Sequence, residues 1–556
     1  MVRQILDKIA APIRGLHQAA YVLAALTLVS QVLALLRDRT FAYTFGAGHT
    51  LDLYYAAFRI PDLVFALVAS LVSAYVLIPR IANGSREETR TLLSRSTSFL
   101  LIGGGLICLV LGIFAPQLLF FLYPDFANVP ESADFILLGR ILLLQPIILG
   151  ISSIVTSVTQ VHRRFLLFAL SPVLYNLGII FGVVALYPRY GLPGIGMGVV
   201  LGALAHGALH IPVLLRAGVF PRLVWLRARD LVPLIRDSVP RSLALGMGSI
   251  TALVLTALAA RAGTGSVSVF TLASNLEAVP LALIGSSYAV AAFPALSEAS
   301  SPERRPEFTR VLFASARHIV LWSLVSLGLI VVLRAHLVRA ILGTGAFDWD
   351  ATRLTAALLA IFAVGLAAQG LILLFSRALY AAHQSWRPFL YQLTGGVITV
   401  ATAFWLLGLS ADGFPAFLAH LFRVGTVPGA SVLLIALAAT MGQLLLLALS
   451  MVALARVVPG LATNLLRPFF HGTLAAIIGG AAAYGVLFFL GGIAPLTTLV
   501  AVFAEGLFAG MVGLAGAAAT FVVLKNEEFA DVVRACRRLP GMRTILAPSA
   551  EDLKQP

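Results

Sequence analysis

Charged residues and cysteines are both scarce in this chain. Only 11% of the 556 residues are charged and two are cysteines, whereas 60% are hydrophobic. Cys108 and Cys536 are too few for a disulfide framework or a metal cluster. A soluble protein of this size could not cover so much apolar surface, so the composition indicates that lipid surrounds most of the chain.

The sequence also lacks the motifs of common membrane enzymes and pumps. It contains no Walker-type phosphate loop, no HExxH and no GxSxG. The longest irregular stretches, 216–238 and 409–429, are too short for a folded extramembrane domain such as a polyprenyl-phosphate glycosyltransferase would need. We therefore expect a protein that is not an enzyme and holds no cofactor, with coupling to the membrane potential or to a monovalent cation left open.

Long apolar runs fill most of the chain. Each is long enough to cross a hydrocarbon core of about 30 Å at about 1.5 Å per helical residue. The predicted fold is an all-α polytopic membrane protein of about 14 spans. These lie near 19–43, 51–78, 97–122, 133–160, 166–187, 193–215, 239–261, 266–294, 312–333, 354–380, 389–408, 430–454, 468–491 and 498–524.

Basic residues concentrate on one side of these spans. If the N-terminus is cytoplasmic, 29 of the 39 Lys and Arg residues fall in inner stretches and six in outer loops. This bias predicts a bacterial inner-membrane protein with both termini in the cytoplasm. The net charge of +15 is thus a topology signal, and we expect membrane lipids, not nucleic acid, as partners.

A weak internal repeat divides the spans. The segment 67–82 resembles 282–297, which aligns Pro79 with Pro294, and His162 aligns with His383 at a similar offset; chance similarity between apolar helices is the alternative. The repeat predicts two six-helix lobes of the same orientation, as in transporters whose lobes rock about a central site. The predicted parts are an interfacial amphipathic helix (1–16), two lobes (17–217 and 230–456), two additional helices (466–524) and a cytoplasmic basic tail (525–556).

Charged groups inside the first two spans are the first candidate site. Arg37, Asp38 and Arg39 end span one at its outer side, against the basic bias. They either snorkel to outer water or face a hydrated cavity, where guanidinium groups can bind phosphate oxygens in bidentate fashion. Asp52 begins span two.

Span two then carries Arg59 and Asp62, an i,i+3 pair. The pair either neutralises itself and holds helices together, or Arg59 is a cavity cation that Asp62 tunes.

Arg140 is the sharpest single candidate. It lies about nine residues inside span four, at a depth near 13 Å. Cavity lining competes with a structural staple to a backbone carbonyl or to Glu277, which lies at comparable depth in span eight and could also bind a coupling cation. Metal binding stays open: His206 and His210 have an i,i+4 spacing, but no third ligand is in view and interfacial histidines are more common.

Several segments resemble the MurJ/MviN lipid II flippases of the wider MOP exporter superfamily, which also includes the MATE transporters. They are SQVLALLRDR (30–39), FGAG (45–48), DLYYAAFRIPDL (52–63), GRILLLQP (139–146) and LGTGAFD (342–348). Fourteen helices split twelve plus two also match that architecture.

The resemblance implies movement of undecaprenyl-pyrophosphate-linked muropeptide from the inner to the outer leaflet for cell-wall synthesis. Cavity cations of the first lobe would hold the pyrophosphate, the last two helices would form a groove for the lipid tail, and other cell-wall synthesis proteins could be partners. Arg37, Asp52 and Arg59 match the family pattern. Gln31 and Asn275 stand where the family usually has arginine, and Phe65 and Ala66 replace a third.

Our hypothesis is that Arg39, Arg59 and Arg140 substitute for these cations. The alternative function is another MOP-type exporter, of lipid-linked polysaccharide units or, less favoured by a basic cavity, of cationic drugs.

Overall fold

The computed structural model describes residues 16–72, 74–162, 164–225, 232, 236, 238–491 and 498–537. These residues form helices and no strand. The predicted interfacial helix lies outside the described residues apart from its last position, and so does the tail beyond residue 537.

The helices of the first half of the chain are numbered in order. They are α1 (Leu16–Phe45), α2 (His49–Leu67), α3 (Ala74–Asn83), α4 (Arg86–Phe99), α5 (Gly105–Ile113), α6 (Ala115–Leu122), α7 (Ser132–Leu142), α8 (Gln145–Val161), α9 (Phe165–Phe181), α10 (Tyr187–Tyr190), α11 (Leu192–Ala208) and α12 (Ile211–Ala217).

The second half continues the all-helical pattern. Its helices are α13 (Val239–Ala260), α14 (Ser266–Leu281), α15 (Ser287–Glu298), α16 (Arg305–Ile341), α17 (Trp349–Ala381), α18 (Trp386–Leu407), α19 (Phe414–Leu421), α20 (Val432–Ala455), α21 (Leu461–Gly491), α22 (Leu499–Val523) and α23 (Glu527–Arg537).

Many of these helices are suited to a bilayer. Among the described residues, 13 helical segments are long and apolar enough to cross a membrane. Helix α1, with 30 residues, covers the first of the fourteen predicted segments. The prediction of an all-α polytopic membrane protein is therefore confirmed.

The chain packs into two compact units. The first unit comprises Met1–Val279, Ile341–Phe362 and Gln384–Leu449, and the second comprises Pro280–Ala340, Ala363–His383 and Ser450–Pro556. The lobes 17–217 and 230–456 and the pair 466–524 divide the chain differently and stay a prediction.

Glycine sets the closest helix packing in the first unit. Gly178 on α9 and Gly182, the first residue of the π-helical turn after α9, face Gly202 and Gly198 on α11, and a Cβ atom at any of these four positions would collide with backbone of the facing segment. Small residues allow membrane helices to approach until their backbones touch, which increases van der Waals contact where no hydrophobic force drives association. Helices α9 and α11 are therefore joined backbone to backbone.

Spans two and eight are interrupted at matching positions of the repeat. A 3₁₀ turn at Ala69–Val72 separates α2 from α3, and a π-helical turn at Ala282–Ser286 separates α14 from α15. In the first break, the Ser70 hydroxyl donates to the Ala66 carbonyl at 2.5 Å, and its oxygen lies 2.6 Å from the Ser242 hydroxyl oxygen. Serine competes in this way for helical carbonyls, which bends membrane helices.

The two candidate metal-spacing histidines instead hold helices together. Both ring nitrogens of His210, which is fully buried, contact hydroxyls, Thr159 on α8 at 3.0 Å and Ser171 on α9 at 2.9 Å. His206 contacts Ser152 at 2.6 Å. Both histidines therefore contact hydroxyls of neighbouring helices, and their position relative to the membrane surface stays a prediction.

Three long helices of the second unit pack through small residues and aromatic rings. Leu321 and Val325 on α16 share a buried cluster with Ala475 on α21 and with Ala517 and Phe521 on α22.

The terminal helix α23 joins this bundle at one end. Phe529 stacks near Phe521 at 5.5 Å, and Glu528 lies 3.9 Å from Arg317 on α16. The described part of the predicted tail is thus docked against the second unit.

Replacing Gly202 with alanine tests the α9–α11 contact. The added Cβ would lie 2.6 Å from the Tyr175 carbonyl oxygen, so we expect the free energy of unfolding to fall by about 1–3 kcal/mol. The thermal unfolding temperature of the purified protein in detergent measures this loss. Gly248→Ala is the matched control, because nothing lies within 4 Å of its Cβ position; an equal loss in both variants would contradict the packing argument.

Candidate functional site

A polar network joins α1, α9 and α14 inside the first unit. The Arg37 guanidinium donates to one oxygen of Asp38 through Nε and Nη2, at 3.0 and 2.8 Å, and to Asn176 through Nη1 at 3.1 Å. The other Asp38 oxygen accepts from the Asn275 amide at 3.1 Å. Asp38 is only 2% exposed, so Arg37 supplies the counter-charge that a carboxylate needs in such an apolar place.

A second pair of charges lies on α2. Arg59 donates through Nη2 to the Thr271 hydroxyl on α14 at 3.4 Å, and its charge interacts with that of Asp62. The Arg59 Nε atom is buried and has no hydrogen-bond partner among the described residues. Arg59 is therefore a guanidinium group with an unused donor.

Tyrosine side chains connect the two charged pairs. The Tyr55 ring lies in the electrostatic field of both Arg37 and Arg59, and Tyr175 lies in that of Arg37 and Asp62. Tyr175 also accepts from the Gln145 amide at 3.4 Å. In the part of the chain that the structure describes, three buried polar atoms of this group have no hydrogen-bond partner: the Tyr55 hydroxyl, the Gln145 Oε1 atom and Arg59 Nε. The group thus keeps both donors and acceptors with which a polar ligand could bond.

The charges of this network are balanced. Asp38 accompanies Arg37, and Asp62 accompanies Arg59. In place of the basic cavity expected from the sequence, this conformation therefore has one ion pair, Arg37 with Asp38, and a second guanidinium, Arg59, in the electrostatic field of Asp62. An anion would bind here only by competing with these carboxylates for the guanidinium groups.

Asp52 has a different position, at the predicted outer end of the first unit. Its carboxylate accepts from the Gly265 and Ser268 backbone amides at 2.6 and 2.8 Å and from the Ser268 hydroxyl at 2.5 Å. The amides belong to the start of α14, where unpaired N–H groups and the helix dipole favour an anion. Asp52, at 1% exposure, therefore fastens the start of α2 to the start of α14.

The FGAG turn between α1 and α2 packs beside the Asp52 contact, since a Cβ at Gly265 would collide with the Ala47 carbonyl oxygen. We call the Asp52 contact and this turn together the outer closure, after the predicted topology. Gly46 has a φ of +61°, and a Cβ there would approach the Ala346 carbonyl oxygen to 2.5 Å. The Ala346 amide donates to the Tyr43 carbonyl at 3.0 Å, and Arg39 donates to the Ile341 carbonyl at 3.3 Å. Glycine is needed because the turn is both left-handed and pressed against the 342–347 segment.

Arg140 and Glu277 have partners of their own. Arg140 is exposed and donates from Nε to the Gly112 carbonyl at 2.9 Å, the backbone contact that the structural alternative expects. Among the described residues, no hydrogen bond or ion pair joins Arg140 to Asp38, Asn176 or Asp62. Glu277 is 4% exposed and interacts with another group of the protein. Their roles in cargo binding stay predictions.

Comparison with known proteins now adds the family. The family model described as "Lipid II flippase MurJ" matches residues 41–504. The chain belongs to the lipid II flippase MurJ family. The resemblance drawn from the FGAG and GRILLLQP segments is thereby confirmed.

Curated relatives in the MurJ family support this assignment. The "Lipid II flippase MurJ" of Burkholderia cenocepacia is 25% identical over 401 residues, which are 69% of this chain and 77% of that protein. The "Probable lipid II flippase MurJ" of Vibrio cholerae is 25% identical over 413 residues, 71% of this chain and 79% of that one.

Solved structures show the same fold. A lipid II flippase MurJ in an inward closed conformation aligns with a TM-score of 0.71 at 18% identity, covering 91% of this chain and all of that one. An inward-facing MATE-family transporter of the MOP superfamily aligns with a TM-score of 0.58 at 17% identity, covering 75% and 95%. The predicted MOP/MATE-like helical architecture is confirmed.

Sequence reasoning missed several members of the network. Asn176 and Thr271 contact the candidate arginines, and Gln145 contacts Tyr175, which lies in the electrostatic field of Arg37 and Asp62; the sequence analysis predicted none of these four residues. A signal for Asn176 exists, since it is a lone amide in the apolar run of α9, and polar groups within membrane spans are costly unless they are used. Thr271 has no such signal, because a threonine can satisfy its hydroxyl within its own helix.

Asp52→Asn tests the fastening of α2 to α14. The amide nitrogen of asparagine cannot accept from backbone N–H groups, so we expect a loss of about 2–3 kcal/mol in the free energy of unfolding. The thermal unfolding temperature in detergent measures it. Asp412→Asn, at an exposed position, is the control and should leave that temperature unchanged; an unchanged Asp52→Asn protein would show that these hydrogen bonds contribute nothing.

Proposed function

We propose that this chain moves lipid II from the cytoplasmic to the outer leaflet of the bacterial inner membrane by alternating access. The family match over residues 41–504 carries the assignment. The polar network of the first unit supports it, because guanidinium groups with exchangeable or unused donors suit a pyrophosphate.

The network suggests how the headgroup would bind. Arg59 offers its unused Nε atom first. A pyrophosphate bears more negative charge than a carboxylate, so it would draw Arg37 away from Asp38, while Asn275 keeps a hydrogen bond to the released carboxylate. Binding would thus rearrange the contacts that hold α1, α9 and α14 together.

A groove in the second unit suits the lipid tail. Its volume is about 490 Å³, and it lies between α16 and α21. Nearly all of its lining is apolar: Leu324, Leu327, Gly328, Val331, Val332, Thr473, Ala476, Ile477, Gly480, Ala481 and Tyr484. Apolar walls favour an isoprenoid chain over a polar ligand.

The outer closure gives the opposite half of the cycle. Release to the outer leaflet requires the start of α2 to separate from α14, so the three hydrogen bonds to Asp52 would break and re-form in each turnover. The helix breaks after Leu67 and Leu281 supply bending points.

The remaining features follow from this function and from the sequence. Both termini would be cytoplasmic, as the basic bias predicts. The chain would catalyse no covalent chemistry and carry no cofactor, with the membrane potential or a monovalent cation as the energy source. Other cell-wall synthesis proteins would receive its product.

The alternative is another exporter of the same fold, for lipid-linked polysaccharide units or, less favoured, for cationic drugs. The equal number of carboxylates and guanidinium groups in the polar network, together with the likeness to a MATE-family transporter, is the observation that favours it.

A complementation experiment separates these functions. The chain is expressed in a strain whose own lipid II flippase is depleted, and lipid II at the outer leaflet is measured with a probe that does not cross the membrane. We expect outer-leaflet lipid II to be restored. Membrane-inserted protein that restores none, but exports another lipid-linked saccharide, would favour the alternative.

Arginine variants in the same strain test the binding site. Arg59→Gln should lower outer-leaflet lipid II at least tenfold at unchanged abundance, because it removes the guanidinium with the free donor. Arg261→Gln, at an exposed position, is the matched control and should retain activity. Arg140→Ala should also abolish activity; retained activity would assign Arg140 to a structural role only, and retained activity in Arg59→Gln would contradict the proposed site.

A further inference from the structure

A second buried charge pair lies far along the chain from the polar network. Glu505 on α22 and His336 on α16 approach to 3.4 Å between Oε2 and Nε2. Glu505 is 8% exposed, and it is the one charged residue in the apolar sequence of α22. An ionisable residue within a membrane span is costly, so its presence calls for a function.

The pair is incompletely satisfied. Among the described residues, Glu505 Oε2 has no partner with hydrogen-bond geometry, and neither has the buried His336 Nδ1 atom. The Glu505 carboxylate and the His336 imidazole can each hold a proton, and they approach each other through Oε2 and Nε2 while the Nδ1 atom on the other side of the ring has no partner. A contact that served stability alone would be expected to give these atoms hydrogen-bond partners, since burying an unpaired polar group lowers the free energy of unfolding.

Helices α16 and α22 approach each other closely around the pair. A Cβ at Gly506 would lie 3.1 Å from the His336 Cβ atom, and one at Gly513 would lie 2.6 Å from a Leu329 methyl group. Glycines of α22 thus run along α16, and the pair lies at one end of this line. On the predicted topology that end faces the outer side, since His336 is five residues from the end of α16, a rise of about 8 Å.

Few other charges can influence the pair. Three helices pack at this place, and their described titratable or charged groups at that end, besides the pair, are Arg334 and Arg339 on α16 and Tyr484 on α21. Arg334 donates to the Val331 carbonyl of its own helix. Glu505 is the one carboxylate among them.

The donor set favours a proton over a metal cation. Alkali and alkaline-earth cations need several oxygen ligands, whereas this place offers one carboxylate and an imidazole nitrogen. Imidazole gains and loses a proton near physiological pH. From this geometry we infer that His336 and Glu505 form a proton-binding site that fastens α22 to α16 and is open to the outer aqueous phase.

The charge balance gives the direction of the effect. With one proton the pair is neutral overall, whether the proton sits on His336 Nε2 or on the Glu505 carboxylate. Release of that proton to water leaves a neutral imidazole beside a buried carboxylate anion, and losing the charge of its pairing partner is unfavourable for that anion. Attachment of α22 to α16 therefore holds when the outer pH is low and weakens as the pH rises.

This attachment bears on the groove, because α16 forms one wall of it and α21, which packs on α22 through Gly479 and Gly513, forms the other. A proton taken up on the outer side would hold the three helices together. The inference rests on the pair itself and does not require lipid II to be the cargo.

Spin labels measure the attachment directly. In a chain with Cys108→Ser and Cys536→Ser, labels at Ala335→Cys and Val500→Cys, both exposed positions, report the distance between α16 and α22 in lipid nanodiscs. Between about pH 5 and about pH 9, we expect this distance to lengthen with rising pH. Glu505→Gln should abolish the shift, and so should His336→Gln, which serves if the first variant does not fold.

A matched control comes from the same helix. Glu307 pairs with Arg304 at an exposed site, so Glu307→Gln removes a carboxylate–cation pair without touching the buried one and should keep the full pH response. A distance that does not depend on pH in the parent chain would overturn the inference. So would a pH-dependent shift that survives in both Glu505→Gln and His336→Gln.

Discussion

A charge within an apolar bundle must find its partner in the protein, because no water is at hand to solvate it. This constraint governs the places where the helices of this chain are joined. Asp38 is held by Arg37 and Asn275, and Asp52 by the amides that begin α14. Each carboxylate thus fixes one helix against another that is distant in sequence. The contacts that stabilise the fold are therefore also the contacts that an anionic cargo or an opening motion has to disturb.

The sequence predicted the fold more completely than the site. Length and hydropathy were enough to place the spans, since crossing a bilayer demands about twenty apolar residues and little else. The FGAG, GRILLLQP and LGTGAFD segments were enough to indicate the family. The aligned Pro79 and Pro294 indicated a repeat but not the breaks in spans two and eight, which occur before each proline.

The site was harder to predict because sequence spacing does not reveal which side chains of different helices form pairs across the bundle. Arg37 and Asp38 are adjacent, and nothing local indicates that both turn inward to meet Asn176 and Asn275. The sequence likewise gives no sign that Asp52 would begin a contact with α14, two hundred residues onward. Glu505 lies in one of the two last helices, which were expected to form a groove for the lipid tail, and His336 was one histidine among ten.

The glycine contact between α9 and α11 limits how the first unit can change shape. With backbone against backbone there is no layer of side chains that could switch rotamers and let one helix slide past the other. These two helices therefore move as one rigid body, and any bending has to occur elsewhere in the chain. Asn176 lies on α9, so the hydrogen-bond partner of Arg37 belongs to the rigid helix pair and keeps its position when other helices of the unit move.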